Sequence, residues 1–144
     1  MRRFFLDANV IFTAAHNPVG NARALFRLAA DQQLEVVSSR YALEGAARNI
    51  AVKFPECVAE FNGLIASLPL VAEASQAEIQ LAANCRLPDK DVPILAAAIA
   101  ARASALVTGD RHDFGHLHGT TVEGVAVLTP AEALSKALSS RVVK

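Results

Sequence analysis

Five carboxylates, Asp7, Glu44, Asp91, Asp110 and Asp113, draw notice by where they fall rather than by their number. Asp7 follows the apolar run Phe4-Phe5-Leu6 directly. Asp110 follows Leu106-Val107-Thr108-Gly109, with Asp113 three residues on. Asp91 opens a helical stretch leading toward that second run, and Glu44 falls early in another. An acid straight after a buried strand is costly unless something binds it. Two carboxylates ~4 Å apart repel by roughly 4 kcal/mol at an effective dielectric of 20, so a group of them must take up protons or hold a cation. Oxygen ligands without cysteine or histidine suit Mg²⁺ or Mn²⁺ better than zinc. Such an ion can activate a water against phosphorus, hold the phosphate and steady the leaving oxygen. Each acid also has a plainer use: Asp91 as a helix cap, Glu44 as an ion-pair partner of Arg48 four residues on, Gly109-Asp110 as a turn pair.

Strands and helices must position such a group. Phe4 to Leu6, Leu34 to Val37, Leu70 to Ala72, Ala105 to Val107 and Val122 to Leu128 read as short strands, the third of them weak. Helices are expected from Asn21 to Gln32 and from Ser38 or Ser39 to Phe54, where Pro55 stops the second. Pro55 also suits the first turn of a further helix with Val58, Phe61, Ile65 and Leu68 inward. Ser75-Gln76-Ala77-Glu78 and Thr129-Pro130-Ala131-Glu132 are capping boxes, opening helices to about Cys85 and about Leu138. Another helix runs from Asp89 to Ala103. Strands separated by helices predict a three-layer α/β/α sandwich around a parallel sheet of about five strands. Ligands of such sheets bind beyond the carboxyl ends of the strands, where the strand order reverses. The five acids are expected to meet at that edge. The single domain is expected over residues 1–138, with 139–144 as a frayed tail.

The 144 residues are 53% apolar and 19% charged, enough for one core and incompatible with intrinsic disorder. The longest nearly unbroken apolar run, Val92 to Ala101, is half of what a membrane span needs and contains a proline. Arg2 and Arg3 precede only three apolar residues, so no signal-peptide core is read and a cytoplasmic location is expected. Cys57 and Cys85 have no C-x-x-C partner and are expected as reduced thiols. His112, His116 and His118 lie among glycines without a zinc pattern and read as a solvent-facing loop. The formal charge is zero, 14 basic against 14 acidic residues; setting the five acids aside leaves a remainder of +5. A mildly basic body around an acidic pocket suits a phosphate backbone. Arg23, Arg27, Arg40, Arg48, Lys90 and Arg111 are candidate contacts to it, or simply solvated helix faces. Leu25, Phe26, Leu28, Phe54 and Phe61 exceed what one small core face needs, which predicts a homodimer.

Four stretches together resemble the PIN-domain nucleases, named for the PilT N-terminus, from Phe4 to about Leu134. They are Leu6-Asp7-Ala8-Asn9-Val10, Glu44 in its helix, Asp91-Val92-Pro93-Ile94-Leu95-Ala96-Ala97-Ala98, and Leu106-Val107-Thr108-Gly109-Asp110-Arg111-His112-Asp113-Phe114. The family includes the toxin halves of many bacterial toxin–antitoxin pairs. Carried over, its acidic quartet is Asp7, Glu44, Asp91 and Asp110, with Asp113 matching a further acidic position and Asn9 and Thr108 supporting ones. The resemblance implies a divalent-metal-dependent ribonuclease acting on single-stranded RNA, with an antitoxin as a second partner. In it Asp7, Asp91 and Asp110 would bind Mg²⁺ or Mn²⁺, and Glu44 would bind a second ion or orient the attacking water. The rival enzyme is a haloacid-dehalogenase-like phosphatase, which wants an aspartate where Asn9 stands. A non-catalytic binding module of the same fold is the other alternative.

Overall fold

Strand β1 (Arg3–Leu6) lies inside the sheet, and its alternation sends Phe4 and Leu6 to one face and Phe5 to the other, all fully buried. The computed structural model describes residues 1–142. Its sheet has five strands, β1, β2 (Glu35–Val37), β3 (Ala105–Val107), β4 (Thr121–Val122) and β5 (Val125–Leu128), in the order β2-β1-β3-β5-β4. Three neighbouring pairs, β2-β1, β1-β3 and β3-β5, are parallel; β4 joins the edge antiparallel. From β1 the chain goes out to β2 on one side and returns to β3 on the other. The strand order therefore reverses between β1 and β3, which opens a crevice at their carboxyl ends.

One face of the sheet is covered by α1 (Ala8–His16), α2 (Asn21–Ala30), α4 (Val58–Ile65), α7 (Pro130–Val142) and the Ala46 and Ile50 side of α3 (Arg40–Lys53). The other carries α5 (Gln76–Ala83), α6 (Val92–Ala100) and Phe114. Every α6 residue from Ile94 to Ala98 is buried, so small alanines let that helix lie close on the strands. Among the described residues no helix is long and apolar enough to cross a membrane.

Several elements differ from the sequence expectation, each for a local reason. Helix α1 has no counterpart there. Its β-branched Val10, Ile11 and Thr13 are weak helix formers, and Asp7 starts it by accepting the Ala8 N–H. Leu70 to Ala72 makes only a parallel bridge between Leu70 and Ser38, because Pro69 removes a ladder donor beside it. The expected last strand is a hairpin, turning at Glu123 (φ 49°) and Gly124 (φ 83°), both left-handed as a tight two-residue turn requires. The sheet is thus five-stranded but mixed. Helix α7 runs past Leu138 to Val142, which takes in part of the expected tail; residues 143–144 lie outside the described residues. Leu25, Leu28 and Phe61 are buried in the chain's own core, with Phe26 and Phe54 packed against it. Both cysteines are free thiols, half-buried.

Candidate metal centre

The register Leu6↔Val107 sets Asp7 beside Thr108 just past the paired ends of β1 and β3. The Asp7 N–H completes the ladder on the Val107 carbonyl at 3.0 Å. Its carboxylate, 4% exposed, accepts three hydrogen bonds: from the Ala8 N–H at 2.6 Å, the Thr108 hydroxyl at 2.8 Å and Asn9 Nδ2 at 3.1 Å. Thr108 Oγ1 in turn accepts from Asn9 Nδ2 and from the Asp110 N–H, both at 3.2 Å, so the hydroxyl uses its donor and both lone pairs. Asn9 Oδ1 takes the Gly109 N–H at 2.8 Å. These bonds stitch the two strand exits together and aim the following loop. Burial raises the Asp7 pKa, the Asp110 charge adds to this, and the three hydrogen bonds oppose it.

One carboxylate oxygen each of Asp91, Asp110 and Asp113 lies within 4.8 Å of the others. The Asp110 carboxylate is held by the backbone N–H groups of His112 and Asp113, both 2.9 Å from Oδ1. Asp91 occupies the N-cap position of α6 but makes no capping bond; its Oδ2 faces Lys90 Nζ at 3.2 Å. The same ammonium sits 2.8 Å from Asp113 Oδ2. Burial pushes the Asp91 carboxyl up to about 6 despite the ammonium, with Asp113 and the Asp7 charge adding to the rise. Asp113 is held well below the ordinary carboxylate range by Lys90 first and His112 second. A convergent group of hard oxygen donors, with Asp7 buried behind it, fits Mg²⁺ or Mn²⁺.

A cleft of about 440 Å³ opens over this edge, lined by Asp7, Asp91 and Asp110 together with Arg48, Asn49 and Lys53 of α3. Asp7, Asp91, Asp110 and Asp113 are thus brought together, with Asn9 and Thr108 supporting them. Glu44 is not. It is exposed and lines a neighbouring cavity with Leu70 to Ala74 and Ile79, while its neighbour Gly45 is among the residues that line the cleft. Among the described residues no ion pair joins Glu44 to Arg48.

Of the candidate phosphate contacts, only Arg48 and Lys90 line the cleft. Arg23 is paired with Glu60 at 2.8 Å and Arg27 donates to the Pro18 carbonyl. Lys53, Asn49 and Tyr41 line it unannounced, although their spacing with Gly45 and Arg48 marks one helical face. The three loop histidines face different partners: Asp113 for His112, the Cys85 carbonyl for His116 and the Thr108 carbonyl for His118.

The sequence pattern of the PIN domain matches residues 3–112. The chain belongs to the PIN-domain family. That match spans β1 to the loop after β3 and so contains all the clustered acids except Asp113. No curated protein matches the chain. Three solved structures share the PIN fold seen here. VapBC2 from Rickettsia felis, bound to a DNA fragment from its promoter, is similar with a TM-score of 0.64 at 15% identity, over 88% of this chain and 98% of that one. VapBC-1 from nontypeable Haemophilus influenzae gives 0.62 at 13% identity, over 90% and 98%. FitAB bound to an IR36 DNA fragment gives 0.55 at 18% identity, over 88% and 94%.

Proposed function

We propose that this PIN domain is a divalent-metal-dependent endoribonuclease that hydrolyses phosphodiester bonds of single-stranded RNA, as the toxin of a toxin–antitoxin pair. The observation that carries it is the convergence of Asp91, Asp110 and Asp113 beside buried Asp7, at an open cleft that Arg48 and Lys53 also line. In this reading the three convergent carboxylates hold Mg²⁺ or Mn²⁺ with Asp7. The bound ion supplies an activated water and offsets charge on the scissile phosphate. Asn9 and Thr108 keep the β1 and β3 exits in register, so the carboxylates keep their spacing. A bound cation would favour the ionised Asp91 carboxylate, while Arg48 and Lys53 would meet phosphates farther along the strand.

Support for an antitoxin partner comes from the likeness to VapBC2, VapBC-1 and FitAB. Pairing of two chains and action in the cytoplasm belong to the same reading; light scattering at tens of micromolar tests the first. Purified protein should cut single-stranded RNA with Mg²⁺ or Mn²⁺ and stop with EDTA. Asp7→Asn should lower the rate at least about 100-fold. Cleavage that survives both EDTA and Asp7→Asn, in preparations free of other nucleases, overturns the proposal.

A further inference from the structure

Lys90 brings a positive charge into the acid cluster. Its Nζ donates to Asp113 Oδ2 at 2.8 Å and Asp91 Oδ2 at 3.2 Å, bridging two of the three carboxylates that converge. The Lys90 side chain is 66% exposed, whereas those of Asp91 and Asp113 are 10% and 14% exposed. A long side chain rooted at the surface has been drawn in by its head group. Its backbone is also fixed, because the Lys90 carbonyl accepts the Tyr41 hydroxyl at 2.7 Å and Asp91 follows directly at the start of α6. Asp91 turns toward this ammonium instead of capping the helix that it begins.

An ammonium and a divalent ion ~4 Å apart repel by about twice the roughly 4 kcal/mol of two unit charges at an effective dielectric of 20. A metal ion cannot share the space between Asp91 and Asp113 with Lys90 at that cost. Asp7 and Asp110, by contrast, make no hydrogen bond or ion pair with a basic side chain among the described residues. We infer that Lys90 is a tethered cation filling one of two cation positions, so that the centre takes a single divalent ion, on the Asp7 and Asp110 side. This rests on the reading of the acids as a metal centre. It makes Lys90 a positioning residue that sets the number of ions.

The test is the count of Mn²⁺ bound per chain, by electron paramagnetic resonance of the free ion and by calorimetry, on the wild type, Lys90→Met and Lys90→Arg. The wild type and Lys90→Arg should bind one ion, and Lys90→Met two. In EDTA, Lys90→Met should also melt below the wild type, because Asp91 and Asp113 lose the ammonium that bridges them, and Mn²⁺ should raise its melting temperature more. Two ions in the wild type, or one ion in both the wild type and Lys90→Met, overturns the inference and leaves the metal centre standing. No Mn²⁺ bound by any of the three overturns the metal centre and the inference with it.

Discussion

Asp91 stands where a helix cap belongs and does not cap, so its carboxyl must be accounted for by what it faces. Burial raises its pKa from 3.8 to about 6. A carboxyl whose folded value lies above its unfolded one binds its proton more tightly in the folded state. Its contribution to stability is therefore complete below about pH 4 and is lost as pH rises through about 6. Asp91→Asn keeps the neutral shape at every pH. In EDTA the variant should melt a few degrees above the wild type at pH 7, about 1–2 kcal/mol, and the two should converge near pH 4. Equal melting at pH 7 would return Asp91 to a capping role, since asparagine caps about as well as aspartate. The type of each residue was enough to suggest this chemistry. Its protonation was not legible, because it depends on how much water the fold leaves around the group.

Helix α3 shows what an element decides that a motif cannot. Residues three, four and seven apart share one side of a helix, so Glu44 and Gly45 lie on the side of α3 that also carries Tyr41 and Arg48. Which of two adjoining cavities each lines is settled by packing. Tyr41, Gly45, Arg48 and Asn49 line the acidic cleft, while exposed Glu44 lines the neighbouring cavity, which Tyr41 also lines. Glu44→Gln should accordingly leave Mn²⁺ affinity within about threefold of the wild type, a change under roughly 0.7 kcal/mol. A tenfold loss by calorimetry would put Glu44 back among the ligands. Gly45 is a helix-interior glycine with room beside it: an added Cβ would meet Ala8 Cβ at 3.6 Å, ordinary contact. Gly45→Ala should stabilise the protein by roughly 0.5–1 kcal/mol, visible as a rise of a few degrees in Tm. A lower Tm would show that the cleft wall has no slack at this position. Capping boxes were the most legible elements, because both rest on bonds within four residues. Glu78 accepts the Ser75 N–H at 2.8 Å, and Glu132 the Thr129 N–H at 2.8 Å. The hairpin at Glu123-Gly124 was less so, since apolar residues on both arms read as one run.

The sheet order gathers residues more than a hundred positions apart. Asp7 and Asp110 belong to the first and last thirds of the chain and meet because β1 and β3 are neighbours. Holding several carboxylates in one cleft stores repulsion that a cation releases, so binding should be read out by the whole fold. Mg²⁺ at about 100 times its Kd should stabilise the wild type by roughly 2.7 kcal/mol, several degrees in a thermal melt, and Asp110→Asn much less. Equal shifts in the two proteins would mean that Mg²⁺ acts elsewhere on the surface.

Local rules in the sequence already determined the α/β class, most helix positions, the two capping boxes and the four aspartates that the structure brings together. Strand propensity, caps and the cost of burying an acid all act within a few residues. Only the tertiary structure decided that Leu70 to Ala72 is a bridge, that Glu44 lines the cavity beside the acidic cleft, and that Lys90 spans Asp91 and Asp113. Those outcomes depend on which faces pack and on distances across the sheet edge. Such distances are set by the whole core closing at once, and no window of residues contains them.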